Sequence, residues 1–359
     1  MLNRCNKLLE MARADGIDAV LITSQINRRY FSGFTGSNAI ILITPDRRML
    51  LTDFRYTIQA KAQSKGVFEV IEVNRAIDTR LLADELKRIG AKTIGFENET
   101  MTVSLYERFV KELGSGLEFK PISAIMSNIR IYKDADEIAN IIAAQNASDA
   151  AFADLVKRIK VGMKETDVAT ELEYLMKKHG SECCSFDTIV GSGENGALCH
   201  AIPGERRLQN GDLVVLDFGS KVNGYCSDMT RTIAMGKPCD KLIQIYDIVR
   251  EAQQRALNAL KPGITGKELD AVARDYIASK GYGECFGHSL GHGFGLEVHE
   301  APNASTVSTY TLEPGMTITV EPGIYIEGLG GVRIEDCCIM TEDGYINPVT
   351  SPKELIIIE

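Results

Sequence analysis

A chain of 359 residues with 44% apolar and 25% charged residues is long enough for two ordinary domains, each with a buried core. Its formal charge of −9 argues against a nucleic-acid binder, which usually carries a basic face. No run approaches the roughly 20 apolar residues of a membrane span, and the charge-broken N-terminus MLNRCNKLLEMARADG lacks the apolar stretch of a signal peptide. Nine cysteines, an odd number without CxxC spacing, argue against a disulfide framework, so a reducing, cytoplasmic setting is expected.

The first third alternates helix and strand patterns. An amphipathic helix over 3–14 leads to a strand over 19–23, and a hairpin follows at 39–44 and 49–52, turning at Pro45-Asp46. Helices over 78–89 and 105–113 bracket a strand over 93–96. The third contains no histidine and offers no catalytic cluster; it reads as a compact α/β unit. The pattern changes near 125–133, where a long helix over 135–159 begins, which divides the chain into domains 1–128 and 129–359. Further helices are predicted at 165–179, 240–260 and 265–280, the last opening on a capping box of Thr265 and Glu268. Strands at 187–190, 213–218, 226–234, 316–321 and 331–340 complete a mixed, mostly antiparallel sheet flanked by helices, an α+β arrangement.

Those strands and their loops carry a set of acidic residues. In GDLVVLDFGSKVNGYCSDMTRT (211–232), a turn at Asn223-Gly224 makes a hairpin. One register sets Asp217 opposite Thr230, and a register one residue earlier sets it opposite Asp228. Either puts Asp217 and Asp228 on one face within about 5–8 Å, where two carboxylates repel unless a proton or cation lies between them. In 316–321, Thr317, Thr319 and Glu321 form a polar face, and Pro322-Gly323 is expected to stop the ladder. In GVRIED, Arg333 shares a face with Glu335 and could orient it.

The stretch FGHSLGHGFGLEVHE (286–300) holds His288, His292 and His299. The spacing of the first two is that of an HExxH helix, but no glutamate follows His288 and four glycines disfavour a helix, so a tight loop is predicted. Gly191–Gly196 reads GSGENG and matches GxGxxG, yet Pro203-Gly204 follows too soon for a dinucleotide-binding helix. That segment is expected to deliver His200 to the same site. Four of the chain's five histidines thus fall near the candidate carboxylates.

In this order the residues resemble the metallopeptidases of the pita-bread fold, the family of methionine aminopeptidase, aminopeptidase P and prolidase. The resembling segments are LDFG at Asp217, CSDMTRT at Asp228, GHGFGLEVHE at His292, TVEPGIY at Glu321 and GVRIED at Glu335. NRRYFSGFTGS (27–37) and TDFRY (52–56) resemble the smaller α/β creatinase-type domain of the proline-directed branch. The resemblance implies that Asp217, Asp228, His292, Glu321 and Glu335 bind two divalent ions. The hard, oxygen-dominated donors favour Mn2+ or a similar ion over a thiolate-type zinc site, with Co2+, Fe2+ and Zn2+ as the alternatives.

It further implies a water activated between the ions, Glu321 as acid/base, and His200 and His299 at the carbonyl oxygen. His288 and Arg333 would complete the substrate pocket. The substrate would be a peptide with an Xaa-Pro N-terminus and the protein a homodimer, with no nucleic-acid or membrane partner. The first expectation is an Xaa-Pro aminopeptidase. The alternatives are an Xaa-Pro dipeptidase and, more distantly, an inactive pita-bread binding protein.

Overall fold

The computed structural model describes residues 1–74, 78–114 and 116–359. The chain forms two compact units, Met1–Arg130 and Ile131–Glu359. Among the described residues no helix is long and apolar enough to cross a membrane.

The first unit is built on a six-stranded sheet in the order Glu69–Glu72, Arg48–Thr52, Ala39–Ile43, Ala19–Ile22, Thr93–Phe96 and Glu118–Pro121. Ala19–Ile22 and Ala39–Ile43 are apolar at every position and wholly buried, as central strands covered on both faces must be. The two edge strands, EVIE and EFKP, carry charged residues and are exposed at their ends, which hides them from a search for apolar runs. The helix Gln25–Ser32 also departs from amphipathic patterning, because it buries Asn27 and Arg28. Its ends are nevertheless well marked: Ser24 accepts from the Asn27 amide at one, and Gly33 adopts φ 75° at the other.

The second unit contains two helix pairs, each with its own core. Ala135–Leu155 and Glu165–Lys178 pack with the strands Ile189–Ser192, Leu213–Phe218 and Met229–Met235 around Phe152, Leu172 and Phe218. Asp240–Ala259 and Gly266–Ser279 pack with Thr317–Val320 and Gly330–Arg333 around Tyr246, Leu269 and Ile318. Every strand pair in this unit is antiparallel except Met229–Met235 with Ile357–Ile358.

Three local features bear on the site. The hairpin at Asn223-Gly224 forms, with both residues at positive φ (46° and 75°). It is interrupted, though, so the predicted strand 226–234 becomes Tyr225–Cys226 and Met229–Met235 with Asp228 just before the second piece. The ladder of Thr317–Val320 ends before Pro322, as expected; Gly323–Ile326 then opens a separate two-stranded sheet with Gly330–Arg333. The predicted strand 331–340 breaks at Ile334-Glu335, where the chain changes partners. Arg333 pairs with Gly323, the Glu335 amide donates to the Thr230 carbonyl at 3.1 Å, and Asp336–Met340 then pairs with Thr317–Val320. Glu335 therefore projects from a crossing between sheets.

Candidate metal centre

The two central strands set Asp217 directly opposite Thr230, which selects the first of the two registers above. From this crossing region Asp228, His292 and Glu335 bring one ligand atom each within 4.8 Å of one another. His292 Nε2 lies 3.6 Å from Asp228 Oδ2 and 3.3 Å from Glu321 Oε1. Asp217, Glu321, His200, His288, His299 and Arg333 line the same cavity of about 290 Å3. All nine sequence-predicted residues are thus gathered into one place.

Glycines allow the approach. A Cβ on Gly291 would stand 1.9 Å from the Thr319 carbonyl oxygen, and one on Gly293 would stand 2.4 Å from that of Ala301. The threonines of the supposed polar strand face are fully buried and hold this loop. Thr317 Oγ1 donates to the Phe294 carbonyl at 2.5 Å, and Thr319 Oγ1 accepts from the His292 amide at 3.0 Å and donates to Glu321 at 3.0 Å. His292 Nδ1 donates to the Gly293 carbonyl at 3.1 Å, which leaves Nε2 to face the carboxylates.

Electrostatics show which group the cluster suits. Burial, and then the neighbouring Glu335 charge, push the Asp228 carboxyl far above the usual carboxylate range. Burial together with Glu321 and Asp217 does the same to Glu335. Asp217 is also raised, since burial outweighs its Arg333 partner. Burial opposes the charged imidazole of His292, but the hydrogen bond and charge of Glu321 prevail and raise it. Among the described residues, Asp217 Oδ1 is buried with no hydrogen-bond partner. An orphaned carboxylate oxygen beside mutually repelling carboxylates and a lone-pair-bearing imidazole fits divalent cations, with four carboxylate charges balancing two ions.

The residues around the cluster correct one expectation and add to the others. Arg333 does not contact Glu335 directly. It pairs with Asp217 at 2.5 Å, donates to Tyr325 Oη at 2.9 Å and to the Cys199 carbonyl at 3.1 Å, and reaches Glu335 only through Thr230. Thr230 Oγ1 accepts from Arg333 Nε at 3.0 Å and donates to Glu335 Oε2 at 2.7 Å. The strand break turns Glu335 away from its in-line neighbour, which is why simple alternation misjudged the pair. Tyr325, part of the TVEPGIY segment but given no role from sequence, donates to His288 Nε2 at 2.9 Å. His288 is lowered by burial, and His299 by burial and by the nearby His292, whose ring lies 4.3 Å away. Both are therefore suited to act as neutral imidazoles. Behind the cluster, fully buried Arg231 donates to the Glu335 carbonyl at 2.6 Å and to Asp336 at 2.8 Å, fixing the backbone at the crossing.

Comparison with known proteins places the chain in a family. Residues 139–342 match metallopeptidase family M24, and residues 4–132 match the creatinase/prolidase N-terminal domain. An Xaa-Pro dipeptidase of Pyrococcus furiosus is 41% identical over 360 residues, covering 99% of this chain and 100% of the relative. Among solved structures, an Xaa-Pro dipeptidase from Bacillus anthracis superimposes with a TM-score of 0.95 at 45% identity, covering 99% of each chain. An X-Pro aminopeptidase from Thermotoga maritima gives 0.91 at 42% identity, covering 97% of this chain and 100% of the other.

Proposed function

The chain belongs to metallopeptidase family M24 and is a metallo-exopeptidase, and on that premise we propose that it is an Xaa-Pro dipeptidase. The sequence motifs put the aminopeptidase first; the relatives at 41% and 45% identity support the dipeptidase better. The observation that carries the catalytic reading is the convergence of Asp228, His292 and Glu335 within 4.8 Å, beside the unpartnered Asp217 oxygen.

The family implies divalent ions, and Mn2+ is the proposed identity because the donors are mostly oxygen. Asp217, Asp228, His292, Glu321 and Glu335 would hold them. Once bound, such ions supply Lewis acidity, polarising a carbonyl and making a water acidic near neutral pH. Glu321, its Oε1 oriented by Thr319, moves the proton from the attacking water toward the leaving nitrogen. His200 and His299, at the cavity rim, donate to the carbonyl oxygen as its charge develops. His288, held by Tyr325, and Arg333 wall the pocket for a proline ring, which is recognised by shape because it has no N–H. Nine free cysteines support a reducing cytoplasmic location, and a homodimer is the proposed assembly.

An Xaa-Pro aminopeptidase is the second reading. Arg333 favours it, being committed to Asp217, Tyr325, Cys199 and Thr230 rather than left for the terminal carboxylate of a dipeptide. Hydrolysis of Ala-Pro and Ala-Pro-Ala by the Mn2+-loaded protein separates the two. The dipeptidase reading expects Ala-Pro to be cleaved and Ala-Pro-Ala to be left intact; preferential cleavage of the tripeptide refutes it.

A further inference from the structure

Residues 193–204 leave the strand Ile189–Ser192, turn through Gly193–Ala197 and carry Cys199 and His200 to the cavity. The outer part of this loop is thinly held. Leu198 and Ile202 are 61% and 88% exposed, His200 is exposed, and the bond from Arg333 to the Cys199 carbonyl anchors the tip.

Both ends of the loop converge on one side chain. Glu165 is fully buried at the start of the helix Glu165–Lys178. Its Oε1 accepts from the Ser192 amide at 2.8 Å, the Ser192 hydroxyl at 2.7 Å and the Asn195 amide group at 3.1 Å. Its Oε2 accepts from Asn195 at 3.2 Å and from the Gly204 backbone amide at 3.1 Å. Ser192 Oγ in turn accepts from Arg206 at 2.7 Å, and Arg206 pairs with Asp212 at 2.6 Å. A buried carboxylate is tolerable only when its donors are all supplied. Here they come from the beginning and the end of a single loop.

The GSGENG segment acquires a physical explanation in the same geometry. A Cβ on Gly191 would meet the Asn195 carbonyl oxygen at 2.9 Å, and one on Gly331 would meet that of Gly196 at 2.0 Å. Gly191 lets the loop fold back closely on its own strand, and Gly196 with Gly331 lets the loop base pack against the strand Gly330–Arg333.

We propose that Glu165 is a positioning residue: its carboxylate clasps both ends of the 193–204 loop and thereby sets His200 against the reacting carbonyl. The proposal rests on the Xaa-Pro peptidase reading above. Glu165→Gln keeps the volume but offers one acceptor oxygen instead of two. With that oxygen serving Ser192, the new NH2 confronts the Gly204 N–H and releases the end of the loop next to His200.

The test uses the full-length Mn2+-loaded protein with Ala-Pro. For Glu165→Gln, kcat is expected to fall roughly 10- to 100-fold, the scale of a small misplacement of a catalytic group. KM should stay within about threefold and the Mn2+ isotherm should be unchanged. Added to His200→Ala, the substitution should cost less than about twofold more, because the two act through one group. Should Glu165→Gln fail to fold by circular dichroism, Asn195→Ala removes two of the five carboxylate contacts from a half-buried position. It is expected to lower kcat severalfold with the same non-additivity. Unchanged kcat, or losses that simply multiply with that of His200→Ala, overturn the role assigned to Glu165. An inactive wild type, or an unimpaired His200→Ala enzyme, overturns the underlying reading of the site and the proposal with it.

Discussion

Thr230→Val tests whether the cluster depends on its hydroxyl support. The substitution keeps the β-branched shape at a fully buried strand position, so packing is preserved. It removes the 2.7 Å bond to Glu335 Oε2 and leaves Arg333 Nε without its 3.0 Å acceptor. A hydrogen bond to a charged group is worth about 1.5–3 kcal/mol. At about 1.4 kcal/mol per decade, that predicts roughly 10- to 100-fold weaker metal binding. The metal-free protein should lose less, because Glu335 is pushed toward its protonated form when no cation is bound. Calorimetric titration of the metal-free variant with Mn2+ reads the affinity, and a thermal melt of the same sample reads the fold. A folded variant whose Kd stays within about twofold of wild type would show that the Thr230 hydroxyl does not support the cluster.

Other outcomes follow from the same geometry. His299→Ala should retain the metals and lower kcat by roughly 100-fold or more; loss of metal instead would make His299 a ligand. The raised Asp228 and Glu335 carboxyls contribute stability below the unfolded carboxylate pKa of about 4, and lose it as pH rises through their folded values. The metal-free protein should therefore melt at lower temperature as pH rises above about 5, and Mn2+ should reverse the trend while releasing protons, measurable as buffer-dependent binding heat. Melting that is independent of pH over this range refutes the coupling. Asp336 behaves oppositely: burial works against its charge, but Arg231 and Lys353 outweigh it and hold the carboxyl down at about 2. Its stabilisation is present above about pH 4 and lost as pH falls toward 2. Asp336→Asn, leaving Arg231 buried without its counter-charge, should cost about 3–5 kcal/mol at neutral pH and abolish that acid-sensitive component. Denaturant titrations at pH 7 and pH 3 measure both.

Much of the site was legible in the chain because its chemistry is carried by unusual local patterns. A carboxylate follows an apolar run at Asp217 and ends an alternating strand at Glu321, and histidines cluster among glycines that cannot sustain a helix. The central hairpin could be read from Asn223-Gly224, whose left-handed turn matches the twist of the strands. What could not be read was the switching of partners between sheets. Alternation tells which residues share a face of one strand, so Arg333 seemed to belong with Glu335 until the break at Ile334 separated them. Thr230, Tyr325 and Glu165 went unassigned for a related reason. Each acts through hydrogen bonds to residues distant in sequence, and a threonine, tyrosine or glutamate on an ordinary element announces nothing about its partner.

The central claim is that four carboxylates and one imidazole hold a pair of divalent ions. Calorimetric titration of the metal-free protein with Mn2+, alongside Asp228→Asn and Glu335→Gln, measures it directly. Two ions per chain are predicted for wild type, with both loading and Ala-Pro hydrolysis abolished in each variant. A wild type that takes up no metal, or variants that bind and turn over like wild type, would contradict it.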